Sequence, residues 1–136
     1  MSPTTLENLG KLVLRLTIGI LILLHGISKL RNGVSGIESM LASHGLPAFF
    51  AWGVYVGEVI APLLLIVGIY TRIGGLLIVI NMLFALALAH SRQLYQLSST
   101  GGWQLELQGL FLFGSLAVAL LGAGRYSVAG TSGSCN

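Results

Sequence analysis

Residues 48–91 read AFFAWGVYVGEVIAPLLLIVGIYTRIGGLLIVINMLFALALAHS, two near-continuous apolar runs joined by a two-residue turn. The first, Ala48 to Tyr70, holds one charge, Glu58; the second, Ile73 to Ser91, holds no Lys, Arg, Asp or Glu. About 20 mostly apolar residues in helical form cross the hydrocarbon of a bilayer, and both runs meet that length. Only Thr71-Arg72 separates them, which makes them a neighbouring, oppositely directed helix pair.

Two further segments flank the pair. Leu12 to Leu30 reads as a first span, with Arg15 and Lys29 near its ends, where long side chains can carry their charges towards the headgroups. Trp103 to Gly124 reads as the last, with Glu106 in its first turn and only Gln108 and Ser115 as later polar residues apart from glycine. The first span also has the outline of a signal peptide: Lys11 and Arg15 precede the apolar run Leu16 to Leu24, and Gly26-Ile27-Ser28 is a small-x-small triplet. His25 and Lys29 crowd that site, and cleavage would remove cations that Glu58 and Glu106 need, so the span is read as retained. Between the first two spans, Ser35 and Glu38 have capping-box spacing. Ile37, Met40 and Leu41 follow at helical spacing, and Gly45 and Pro47 stop the run. Gly36 to His44 is therefore a short amphipathic helix at the interface. Arg92 to Gly102 is a polar loop. The expected organisation is all-α: one polytopic membrane domain over 1–126, four transmembrane helices in an antiparallel bundle, an interfacial helix between the first two, and a flexible tail over 127–136.

Composition agrees. Lys, Arg and Glu make up 11 of 136 residues, 8%, and Asp is absent, where a soluble domain carries about 25% charged residues. Hydrophobic residues are 54%, glycines number 19, and the mean hydropathy is +0.89. Disordered chains are polar and charged, so disorder is excluded too. The net charge of +3 comes from scattered cations with no basic run, which is no nucleic-acid footprint. Cys135 stands alone, so there is no intramolecular disulfide, CxxC pair or thiolate cluster. No His-x-x-His or Glu-x-x-His spacing marks a metal site. No G-x-S-x-G marks a nucleophile and no phosphate loop is present. Catalytic residues remain unassigned from motifs. Lys11, Arg15, Arg72 and Arg125 outnumber Lys29, Arg31 and Arg92 across the four spans, so both termini are expected in the cytoplasm.

In lipid, helices associate through close approach and polar bonds. Gly19 and Gly26, the G-x-x-x-G of Gly53 and Gly57, Gly74 with Gly75, and Gly109 with Gly114 supply small surfaces. An ionisable side chain within a span costs from about 3 kcal/mol upward and needs a partner. The residues so constrained, Arg15, His25, Lys29, Glu58, His90 and Glu106, together with the amide Asn81, form the expected intramembrane polar pocket. Arg15 and Lys29 share a face, 14 residues or close to four turns apart, and His25 lies one turn from Lys29. The expected pairings are Arg15 or His25 with Glu58 at mid-depth, and Lys29 with His25 facing Glu106. Two readings stay open: register locks between helices, or a functional pocket.

Several stretches taken together resemble the DoxX family of small bacterial inner-membrane proteins. Arg15-Leu16 leads into Leu24-His25-Gly26-Ile27-Ser28-Lys29-Leu30; His44-Gly45-Leu46-Pro47 precedes the second span; Glu58 is followed by Val67-Gly68-Ile69-Tyr70-Thr71-Arg72; Ala87 to His90 closes the third; Glu106 and Gly122-Ala123-Gly124-Arg125-Tyr126-Ser127 bracket the fourth. The likeness covers about Leu12 to Tyr126. It departs at Ser127-Val128-Ala129, where the family has Ser-hydrophobic-Asp. The resemblance implies a four-helix protein of the bacterial inner membrane, with Arg15, Lys29, Glu58 and Glu106 as pocket residues. It further implies a subunit or accessory of a redox system, with an oxidoreductase or another membrane subunit as partner; apart from the resemblance, a second copy of the chain is a further candidate partner. No cofactor signature is evident; quinone is the one candidate ligand. A small-solute or proton-linked transporter and a purely structural or assembly partner are the rival readings.

Overall fold

A computed structural model describes residues 1–136. The chain is helical, with a single isolated β-bridge between Leu97 and Trp103 and no strand. Helix α1 spans Pro3–Asn32. The Ser2 hydroxyl accepts from the Thr5 amide at 3.2 Å and Pro3 opens the first turn, a combination that suits a helix start. With 30 residues, α1 is about 45 Å long and extends beyond a hydrocarbon core of about 30 Å.

Helix α2 covers Ser35–Ser43. The expected capping box does not form: Val34 holds the cap position and no side chain caps the helix. Ser35 is already helical, so its hydroxyl is one position too late to reach the free amides. The other end follows expectation. Gly45 has φ +73°, and the Leu46 amide returns to the Leu41 carbonyl at 2.9 Å, with Leu46 packed on the cluster of Val34, Leu41 and Ala51, as in a Schellman turn.

Helix α3, Ala48–Val67, is not uniform. It opens with a 3₁₀ turn at Ala48–Trp52 and widens to a π turn at Val56–Ile60, where the Ala61 amide reaches the Val56 carbonyl; Ala61–Val67 is regular α-helix. Pro62 has no amide to give to the Glu58 carbonyl four residues back, so the helix is already interrupted there. It ends earlier than Tyr70 because Gly68 (φ +82°) and Tyr70 (φ +48°) are both left-handed. Helix α4 then begins at Thr71 and runs to Ala89, so the reversal is made by Gly68–Tyr70 and not by Thr71-Arg72. Helix α5, Glu106–Leu121, has 16 residues, or about 24 Å, against the longer span expected. α1, α3 and α4 are each long and apolar enough to cross a membrane; α5 is apolar but shorter.

The helices pack as a ring, α1 against α3 and α5, and α4 against α3 and α5. Ile18 and Ile22 of α1, Leu65 of α3, Ile78 of α4, and Phe111 and Val118 of α5 fill the centre. The outer surface is apolar too, with Leu24, Leu83, Leu110, Phe113 and Leu120 exposed. That is the surface a lipid solvent requires, and water would penalise so much of it. Residues 127–136, where the sequence gives a flexible tail, fold back onto the α3–α4 turn. Val128 and Ala129 donate to the Val67 and Gly68 carbonyls, and the Asn136 side chain accepts from the Thr71 amide at 3.1 Å.

Candidate functional site: an ion pair between two cavities

Polar groups gather at two levels. At one, Arg15 is 1% exposed. Its Nη1 donates to the Leu65 and Ile66 carbonyls at 2.6 and 3.0 Å, and its Nη2 to the Tyr126 carbonyl at 2.5 Å. Leu65 and Ile66 belong to the last turn of α3, whose carbonyls have no amide ahead of them and whose partial negative charge favours a cation. The partner of this cation is main chain and not the expected Glu58. Gly68 makes room for it, since a Cβ there would lie 2.7 Å from Nη1. Arg72 does the same for α5, donating from Nη1 to the Ala119 and Leu120 carbonyls at 3.1 and 2.7 Å.

At the other level Lys29 of α1 forms an ion pair with Glu58 of α3 through Oε2, and Asn81 of α4 donates from Nδ2 to Glu58 Oε1 at 3.2 Å. Both carboxylate oxygens are thus engaged, each by a different helix. The side chain of Glu58 is 9% exposed and that of Lys29 is 27% exposed. Two glycines bring the three helices close enough. A Cβ on Gly26 would collide with the Glu58 carbonyl, and one on Gly57 would stand 2.5 Å from the Asn81 side chain. The π turn carries Glu58 itself; such turns are frequent at functional sites. The Tyr55 hydroxyl donates to the Lys29 carbonyl at 3.3 Å, a contact that sequence alone did not single out.

The pair stands between two cavities. The larger, about 460 Å³, lies among α2, α3 and α4, with Met40, Leu41, Phe50 and Phe84 in its mainly apolar wall. The smaller, about 220 Å³, lies towards α5 and is more polar, with His25, His90 and Gln108 in its wall. Lys29, Glu58, Ala85 and His90 line both.

Of the seven residues expected to form one pocket, Lys29, Glu58 and Asn81 are bonded together, and His25 and His90 stand at the cavity walls. His25 meets the edge of Phe111, ring centres 5.7 Å apart, and His90 Nδ1 is 2.9 Å from the Gln93 side chain. The expected pairing of Lys29 and His25 with Glu106 is not formed. Glu106 is exposed at the start of α5, beside Gly102, and lines neither cavity. Arg15 belongs to the other level. No group of three His, Cys, Asp or Glu has metal-holding geometry.

Comparison with known proteins adds two findings. The family profile described as DoxX matches residues 10–91, a stretch that holds Arg15, Lys29, Glu58 and Asn81 and stops before α5. A curated protein of Bacillus subtilis (strain 168) named "Putative oxidoreductase CatD" is 34% identical over 116 residues, 85% of this chain and 81% of its own length. No solved structure matches.

Proposed function

Because the chain belongs to the DoxX family, we propose that it is a small inner-membrane subunit or accessory of a redox system, and that the 460 Å³ cavity holds a quinone ring against Lys29, Glu58 and Asn81. One observation carries this reading: an apolar cavity of ligand size whose wall holds a bonded ammonium, carboxylate and carboxamide. Ligand sites have this make-up, an apolar lining with a few placed polar groups.

The donor set fits such a ring. Lys29 Nζ has three hydrogens and Asn81 Nδ2 has two; each gives one to Glu58, which leaves donors for a ring carbonyl. Glu58 can accept from a hydroxyl of the reduced ring. The ligand supplies the two-electron couple when bound; Lys29 and Asn81 orient it, and the apolar wall excludes water from it. The name of the Bacillus relative accords with redox work. In this reading α5 is the fourth span, shortened to 16 residues, and both termini are cytoplasmic.

Purified protein, extracted and assayed for bound quinone, and a native gel of solubilised membranes test the reading. Bound quinone that is lost in Glu58→Gln, or comigration with an oxidoreductase, supports it; the absence of both overturns it. Reporter fusions at both termini test the topology.

The interruption of α3 at Glu58 and Pro62 favours a second reading, a proton-linked transporter, because broken helices build transporter sites. Uptake into reconstituted vesicles that Glu58→Gln abolishes would select it over the first.

A further inference from the structure

The smaller cavity has no part in holding a ring. Its volume, about 220 Å³, accommodates several water molecules at about 30 Å³ each. Its wall differs in chemistry from that of the larger space: His25 from α1, His90 from the end of α4 and Gln108 from α5 stand there beside the Lys29–Glu58 pair. The larger space lacks His25 and Gln108 and has Met40, Leu41, Phe50 and Phe84 instead. The one carboxylate in the middle of the bundle therefore has an apolar side and a wettable side.

We propose that the smaller cavity is a proton inlet to Glu58, with His25 and His90 as the groups that exchange protons with water at its mouth. The proposal deepens the quinone reading, on which its purpose rests, because a ring that gains or loses electrons also gains or loses protons. It assigns those protons a route through the second cavity, which meets the ligand's own at Lys29, Glu58, Ala85 and His90. Inward, a proton leaves water for an imidazole nitrogen, and leaves that nitrogen for a Glu58 carboxylate oxygen over water in the cavity they share. Only N–H and O–H bonds form and break, and no electrons move. His90 Nδ1 is occupied by the Gln93 side chain, which leaves Nε2 for the exchange; His25 is exposed and rests edge-on against Phe111. The groups that bias Glu58 are Lys29 and His25 from α1, Asn81 and His90 from α4, and Gln108 from α5; Tyr55 of α3 acts one step away, through the Lys29 carbonyl. Imidazole suits the task because one ring nitrogen can accept a proton while the other gives one up.

The first test asks which cavity is wet, with no ligand involved. In a Cys135→Ser background, Gln108→Cys and Phe84→Cys are reconstituted in lipid vesicles and treated with a charged, membrane-impermeant methanethiosulfonate reagent from both sides. A thiol reacts as its thiolate, which needs water, so Gln108→Cys is expected to react about tenfold faster than Phe84→Cys. Equal rates, or no reaction at Gln108→Cys, overturn the inlet. The second test reads Glu58 itself: after a rapid step to acid pH, the conversion of its carboxylate infrared band to the protonated carboxyl band is followed in time, assigned with Glu58→Gln. Replacing both histidines, His25→Phe with His90→Phe, is expected to slow that conversion about tenfold, and His25→Gln with His90→Gln to slow it similarly. An unchanged conversion rate overturns the proposal, including where Gln108→Cys fails to fold. Quinone binding enters neither readout, so the inlet and the ligand reading fail separately.

Discussion

The two polar levels of this bundle solve one problem, charge inside an apolar assembly, in opposite ways. Around Arg15 both terminal guanidinium nitrogens are directed at main chain, while the buried Nε has no partner. The guanidinium serves the last carbonyls of α3, Arg72 those of α5, and the returning tail gives acceptors to the first amides of α4: Asn136 to Thr71, and the Cys135 carbonyl to the Arg72 amide at 3.0 Å. Neither cavity reaches that level. Around Lys29 the bonds run from side chain to side chain across three helices and are flanked by open space on both sides. A charge matched to helix ends is fixed by the fold. A charge matched to another side chain beside a cavity can change partner or proton without moving a helix. The first arrangement ties helix ends together, and the second leaves charged side chains facing open space.

Substitutions can break that contrast, and the largest effect is expected at Arg15. Arg15→Leu strands three carbonyls, and charged hydrogen bonds contribute about 1.5–3 kcal/mol each, so a loss of about 3 kcal/mol or more is expected as a sharp fall in thermal midpoint in detergent. Arg15→Lys should recover little of it, because a point charge lacks the planar fork. Next comes Gly26→Ala, which drives a methyl into the Glu58 carbonyl; overpacking of this kind costs about 1–3 kcal/mol. It should also weaken whatever binds at Glu58, which separates it from Arg15→Leu in a ligand titration of the folded fraction.

Smaller still is the pair itself. Lys29 is partly exposed, so Glu58→Gln and Lys29→Met should each lower stability by about 1 kcal/mol. The double variant should lose less than the sum, as a double-mutant thermal cycle would read. Their functional effect should far exceed their structural one, the reverse of Arg15. Arg72→Gln, at a half-exposed helix end, should cost about 0.5–1 kcal/mol. Glu106→Gln, exposed and outside both cavities, should stay within about 0.5 kcal/mol of the parent protein and leave ligand binding unchanged. A strong binding defect there would return Glu106 to the site and undo the division drawn above.

The sequence made the solvent and the helical class legible, because both follow from bulk hydropathy and run length. The need for partners inside the bundle was legible, because an ionisable group in an apolar run must be accommodated, and three of the seven residues, Lys29, Glu58 and Asn81, do meet. Partners were less legible. Matching acids to bases sends Arg15 to Glu58, since a list of side chains does not show that carbonyls at a helix end are acceptors for a cation. Glu106 was drawn inward by the same habit, although a carboxylate in a first turn is already placed well at the helix N-terminus. The two left-handed residues that end α3 early were half visible: Gly68 is a natural stop, but Tyr70 is not a residue type that announces positive φ. The tail, rich in Gly and Ser, carries its docking information in backbone amides and one Asn, which composition does not weigh.

The π turn at Val56–Ile60 has one further consequence. It inserts a residue's worth of backbone, about 100° of rotation, between the two halves of α3. Side chains before and after it are therefore out of phase, and no single wheel drawn through Ala48–Val67 separates lipid-facing from bundle-facing positions. The aromatic half, with Phe49, Phe50 and Trp52, is aimed independently of the half that carries Leu65 and ends at Arg15. Residue changes in one half can thus retune the cavity mouth while the geometry of the capped end stays as it is.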